Sequence, residues 1–307
     1  MLIEGAEAIE ATSAPVSAPR LRKISAVVNP ASGSVKAGVE TELAAVVAEH
    51  GYQLRLFSTA GRNVEAVVRE AVASDPDLLL VLAGDGTARL AAELCGPDGP
   101  LLAPLPGGTL NMLPHALYGA MPWRAALEAT LTGGVERMVS GGRINGHSFY
   151  VAAILGAPAL WGQAREALRL GKLTRAKRRV EIAVRRAFGG GLHYGASEAD
   201  HRTEALVLIC PLVSKAMQQE DALEMAALDF HDARELMRLA FSGLIGGWRA
   251  DPSVTVEMVQ RGWARMHGSI PAILDGETHR LPRRTQFEFT PRAFRALAPP
   301  DMAVASL

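Results

Sequence analysis

Four short segments of the chain carry residue types and spacings suited to phosphate chemistry. Gly84-Asp85-Gly86-Thr87 follows an apolar run, Leu78-Leu79-Leu80-Val81-Leu82, and precedes a helical pattern. Glycines in such a loop let the backbone approach a phosphate closely, and the following helix N-terminus offers unpaired N–H groups to an anion. Asp85 is placed to hold Mg²⁺ there, directly or through water. An Asp-Gly turn that caps the helix is the plainer alternative. Pro106-Gly107-Gly108-Thr109-Leu110-Asn111 is a second glycine-rich loop, and its Thr109 and Asn111 offer side-chain hydrogen bonds. Asn29-Pro30-Ala31-Ser32-Gly33 is a third, although NP and SG pairs also mark ordinary turns.

The fourth segment, Asp275-Gly276-Glu277, ends an apolar run closing on Ile273-Leu274. Two carboxylates around a glycine could supply a general base for a hydroxyl nucleophile. Taken alone, the segment is better explained as an acidic hairpin turn. No GxxxxGK[ST] sequence occurs, and no GxGxxG follows a strand pattern. A nucleotide bound here uses neither of those loops.

The elements that must position these segments are legible up to about residue 111. Strands are expected at 23–28, 52–58, 77–83 and 101–105, with helices at 39–50, 63–73 and 87–94 between them. Alternating strands and helices point to a parallel sheet with helices on its faces. Ligands bind such sheets beyond the carboxyl ends of the strands, where the 29–33, 84–87 and 106–111 loops fall together. After about residue 145 the pattern becomes strand-rich: 147–155, 204–211, 222–230, 253–260, 264–274 and 285–290, with helical stretches near 161–187 and 231–247. A sandwich or barrel-like second domain is expected there. The resulting division is a tail over 1–20, an α/β domain over 21–144, a β-rich domain over 145–290, and a C-terminal segment over 291–307 that packs back on the first domain.

Composition excludes some classes. The 32 basic and 32 acidic residues balance, which argues against a general nucleic-acid coat. The acidic start of the chain does not resemble a secretory signal. The longest apolar stretch, 149–162, is too short to span a bilayer and is broken by Gly156 and Pro158. A cytoplasmic location follows, with Cys95 and Cys210 as reduced thiols. The histidines show no paired metal-ligand spacing. Between Arg165 and Arg186, Arg and Lys interleave with Leu, Ile and Val; a solvated helix face is the first reading, and docking on anionic lipid head groups the second.

The three loops in order, followed late by Asp275-Gly276-Glu277, resemble the diacylglycerol kinase catalytic-domain superfamily. That superfamily includes bacterial lipid kinases and sphingosine kinases, with NAD kinases as more distant relatives. The resemblance covers about residues 21–290, and the Gly-Thr-x-Asn loop favours the lipid-kinase branch. It implies an N-terminal α/β domain, with a parallel sheet flanked by helices, plus a C-terminal β-sandwich. It implies that ATP is surrounded by Asn29, Pro30, Ser32, Gly33, Thr59, the 84–90 segment with Gly84, Asp85, Gly86 and Thr87, and Gly107, Gly108, Thr109 and Asn111. It implies that Glu277, with Asp275 beside it, deprotonates a lipid hydroxyl. A structural Mg²⁺ is implied near Asp221, with the carbonyls of Gln218 and Leu223. Departures from the family pattern cluster on the acceptor side: Met112, Ala157, Cys210 and Ala222. The resemblance is also compatible with a homodimer. A NAD kinase-like phosphotransferase and a catalytically silent nucleotide- or lipid-binding protein are the competing readings.

Overall fold

The computed structural model describes residues 21–36, 38–156, 158–159, 191–196, 199–214, 221–229 and 248–300. The tail over 1–20, the helical stretches near 161–187 and 231–247, the basic segment within 165–186, Ala157 and Gln218 lie wholly or almost wholly outside these residues.

The first part alternates as its hydrophobic periodicity requires. β1 (Ile24–Val28), α1 (Val39–Glu49), β2 (Leu54–Ser58), α2 (Val64–Ala73), β3 (Leu78–Ala83), α3 (Asp85–Cys95) and β4 (Leu101–Pro106) follow in turn. β1, β3 and β4 are buried along their whole length, which is why they read as continuous apolar runs. The four strands are parallel in the order β2-β1-β3-β4. The chain therefore leaves β1 in one direction for β2 and returns past it to β3. That reversal opens a crevice at the carboxyl ends of β1 and β3, where the glycine-rich loops lie.

Residues 112–144, for which the sequence suggested no elements, form α4 (Met112–Tyr118), α5 (Trp123–Gly133) and the long strand β5 (Val135–Ile144). β6 (His147–Phe149), β7 (Ala152–Gly156), β8 (Leu192–Gly195), β9 (His201–Thr203), β10 (Ala205–Ile209), β11 (Leu223–Leu228), β12 (Val254–Val259), β13 (Arg261–Arg265), β14 (Ile270–Leu274), β15 (Glu277–Leu281) and β16 (Arg284–Ala298) complete the described strands. An antiparallel six-stranded sheet, β12-β11-β10-β7-β14-β15, faces the strands around β5, β13 and β16. Ile144, Phe149, Phe287 and Ala264 from one side meet Leu155, Leu208, Met225 and Leu274 from the other in one buried core. The C-terminal part is thus a β-sandwich, and the chain combines it with an α/β N-terminal part.

The expected strand over 264–274 is corrected: it is two strands in two sheets. β13 pairs with β16, and β14 pairs with β7. Between them Gly268 takes φ 93°, the left-handed turn that lets the chain cross from one sheet to the other. The expected strand over 147–155 likewise divides at Tyr150-Val151 into β6 and β7, again in different sheets. β16 runs beyond the expected end at residue 290, and Ala296 pairs parallel with Leu102 of β4.

Candidate active site

The three loops interlock. The amide of Gly84 donates to Ser32 Oγ at 3.0 Å, and that of Ser34 donates to the Gly107 carbonyl at 3.2 Å. A Cβ on Gly108 would lie 2.8 Å from Gly84 Cα, and one on Gly107 would lie 2.7 Å from the Ala83 nitrogen. Both are closer than real side chains come, so these two positions require glycine for backbone-to-backbone contact. Asn29 begins the first loop, with its own Oδ1 accepting from the Ala31 amide at 3.1 Å.

Asp85 holds the third loop in place. Its carboxylate accepts from the amides of Asn111 at 2.9 Å and Met112 at 2.5 Å, the unpaired donors at the start of α4. Burial pushes its pKa up, against the lowering effect of these bonds, and the Glu277 carboxylate nearby adds to the rise. Asn111 sits at φ 53°, with Oδ1 accepting from the Gly108 amide and Nδ2 donating to the Gly108 carbonyl. Its amide group is therefore engaged within the loop.

Asp275-Gly276 is the two-residue turn of the β14–β15 hairpin, with φ 45° and 84°. Positive φ at both positions is the I′ geometry that matches strand twist. The turn reading is met by Asp275 and Gly276, and the two carboxylates that flank Gly276 have different surroundings. Asp275 is 2% exposed, and its carboxylate accepts from the amides of Tyr150, Val151 and Ala152 at 2.7–3.0 Å. It is enclosed, so of the two carboxylates only Glu277 faces the cleft. Both carboxylates were expected at the site; the structure leaves Glu277 in the cleft and engages Asp275 in fixing the turn that presents it.

Burial raises the Asp275 pKa to about 6, although its three N–H bonds and Arg89 pull the other way. The sign of the linkage follows. The folded state holds its proton to higher pH than the unfolded state, so this group's contribution to stability is largest below the unfolded value of 3.8 and declines as pH rises through about 6. Relative to Asp275→Asn, the wild type should therefore gain about 1 kcal/mol of stability on going from pH 7 to pH 5. Urea unfolding of both proteins at both pH values checks this; a constant difference would sink it.

Glu277 lies over the start of α3. A Cβ on Gly86 would fall within 2 Å of Glu277 Oε1, so Gly86 is the residue that leaves room for this carboxylate. Arg89, on α3, donates from Nη2 to Glu277 Oε2 at 3.0 Å. His279, two residues along β15 and on the same face, packs against His147 with ring centroids 4.9 Å apart and the rings tilted by 50°. Burial lowers the His279 pKa, and Arg89 and His147 lower it further. A cleft of about 1090 Å³ joins these groups to Asn29, Ser32, Gly84, Asp85, Thr87 and Thr109. Its far wall is apolar: Leu90, Leu110, Met112, Ala152, Ile154 and Ile273.

The profile of the diacylglycerol kinase catalytic domain matches residues 23–142. Over that stretch the chain is similar to the diacylglycerol kinase catalytic domain. A diacylglycerol kinase structure from Bacillus anthracis str. Sterne shares the fold over 92% of this chain and 98% of its own, at 16% identity and a TM-score of 0.65. Two further structures from that organism, provisionally named diacylglycerol kinases, match 92% of this chain and 99% of theirs, at 18% and 17% identity, with TM-scores of 0.67 and 0.66. The similarity in fold therefore reaches through the β-sandwich, beyond the matched domain.

Within this diacylglycerol kinase fold the remaining expected residues divide. Pro30, Gly33, Thr59, Gly107, Gly108 and Asn111 support the cleft without lining it. Gly33 touches Thr109, where a Cβ would lie 2.8 Å from Oγ1, and buried Thr59 donates its amide to the Val28 carbonyl. Arg89 fell inside the expected 84–90 segment, but no role was attached to it; its helical spacing from Asp85 and Gly86 was the available signal. His279 had a similar signal in its strand spacing from Glu277. Among the described residues no three His, Cys, Asp or Glu side chains converge as a metal site. Asp85 is a carboxylate set among the glycine-rich loops. That suits Mg²⁺, which commonly takes one or two protein carboxylates and draws its other ligands from phosphates and water.

Of the residues expected around a second metal, Asp221 is exposed and its carbonyl accepts from Gln260 Nε2, while Leu223 is buried. The charged group of that region is Glu224, 0% exposed, which binds Arg249 and Ser214 Oγ. Cys95 and Cys210 are free and buried. No helix among the described residues is long and apolar enough to cross a membrane.

Proposed function

We propose that this chain transfers the γ-phosphoryl group of ATP to the hydroxyl of a lipid, of diacylglycerol or sphingoid type. The observation that carries the reading is the Glu277 carboxylate held over Gly86 at the N-terminus of α3. A base and a phosphate-binding loop thereby share one cleft. The amides of the glycine-rich loops and the first turn of α3 would bind the nucleotide's phosphates. The acceptor oxygen forms the new bond to phosphorus, the bond to the β–γ bridging oxygen breaks to leave ADP, and the hydroxyl proton passes to Glu277. Mg²⁺ beside Asp85 would supply neutralisation of the phosphate oxygens. The apolar wall favours a lipid acceptor over NAD. A lipid acceptor also calls for peripheral contact with a membrane, which the 165–186 segment would suit.

A screen with radiolabelled ATP, offering a lipid extract and NAD side by side, tests the proposal. Labelled lipid formed by wild type and lost in Glu277→Gln supports it. Labelled NAD product, or ATP binding with no labelled product, would replace it with one of the competing readings.

A further inference from the structure

Among the described residues, Arg89 is the single Lys or Arg lining the cleft. Its side chain is 15% exposed, and one of its five donors, on Nη2, is matched by Glu277. Nε is buried without a hydrogen-bond partner among the described residues, and so is Nε2 of His279 on the same wall. Buried polar atoms left unmatched, whether the Arg89 N–H or the His279 ring nitrogen, cost free energy, and they are uncommon in folded proteins. Here both belong to residues that line the cleft with Glu277 and the apolar side chains. A carboxylate that must accept a proton is also poorly served by a permanent guanidinium partner, because the ion pair favours its charged form over the protonated one.

We infer that the lipid acceptor carries an anionic group, a phosphate or carboxylate close to the hydroxyl that is phosphorylated, and that Arg89 and His279 bind it. This rests on the lipid-kinase reading and names the acceptor class within it. The anion takes up the unused donors of Arg89, drawing the guanidinium from Glu277 and leaving Oε2 free for the hydroxyl proton. His279 is held neutral, and its Nε2 is positioned as a second donor. Arg89 suits this better than a lysine would, since its planar fork meets two anion oxygens at once.

The test compares phosphatidylglycerol, an anionic lipid with a free hydroxyl, with neutral diacylglycerol in mixed micelles. Wild type should favour the anionic acceptor, and Arg89→Gln should lower the anionic-to-neutral ratio of kcat/KM by about 10–100-fold, the range for one charged hydrogen bond. Arg89→Lys should restore part of the ratio. Calorimetric titration of wild type with glycerol 3-phosphate against glycerol needs no variant and should show binding of the phosphate only. A wild type that turns over diacylglycerol preferentially and does not bind glycerol 3-phosphate overturns the inference and leaves the lipid-kinase reading standing. Glycerol 3-phosphate binding lost in Arg89→Gln, with no lipid phosphorylated, keeps the anion subsite and removes the kinase. Weaker ATP binding in Arg89→Gln with an unchanged acceptor ratio would assign Arg89 to the nucleotide's phosphate and overturn the inference.

Discussion

Replacing Glu277 by Gln should lower turnover by about 10²–10⁴-fold, the usual contribution of a general base, while the KM for ATP stays close to wild type. The amide keeps the shape of the side chain and can still accept from Arg89 Nη2, so the hairpin and the cleft remain. What is lost is the ability to take the hydroxyl proton. A second variant isolates the placement of the carboxylate. Gly86→Ala puts a methyl group where Glu277 Oε1 now lies, and alanine is the better helix former. It should reduce turnover to a similar degree without unfolding α3. Steady-state kinetics with circular dichroism decides both. Full activity in Glu277→Gln would remove the base assignment, and full activity in Gly86→Ala would show that the carboxylate works from another position.

Asp85→Asn should behave differently. Asn keeps one acceptor oxygen where the carboxylate now serves two amides, at Asn111 and Met112. Losing one such bond to a charged group costs about 1–3 kcal/mol, and it loosens the Gly107–Asn111 loop along with α4. Turnover should fall by at least about 10²-fold, with weaker ATP binding and a changed Mg²⁺ dependence. The contrast is the informative part: Glu277→Gln alters the chemical step alone, whereas Asp85→Asn alters stability, nucleotide affinity and turnover together. Thermal unfolding with and without Mg-ATP reads all three. Unchanged Mg²⁺ dependence would confine Asp85 to holding the loop.

The parallel sheet was legible because β1, β3 and β4 are buried on both faces and so appear as unbroken apolar runs. The sandwich was legible only as an excess of strands. Its strand ends were misjudged where the chain changes sheet, at Tyr150-Val151 and at His267-Gly268, because apolar residues continue on either side of each crossing. β5 was missed entirely, although Asn145-Gly146 after it is a hairpin turn with φ 48° and 83°. At the site, residue type singled out Glu277 and Asp275 together and could not tell that only Glu277 lines the cleft. That distinction depends on Tyr150, Val151 and Ala152, more than a hundred residues away, whose amides enclose the aspartate. Arg89 escaped notice for the same reason: its partner lies in the other half of the fold.

β16 has a consequence for how the protein can be made and divided. Phe287 lies in the core of the sandwich, while Phe294 and Leu297 lie in the core of the α/β part. The strand passes between them through an irregular step from Thr290 to Phe294 that accommodates Pro291. During synthesis β4 therefore has no neighbour on its open side until about 190 further residues have emerged. Until then it presents an apolar edge of the kind that invites pairing with other chains. The two halves meet around the cleft and, among the described residues, share β5 and β16, of which β16 arrives last. A fragment ending near residue 144 is expected to aggregate rather than fold as a free nucleotide-binding unit.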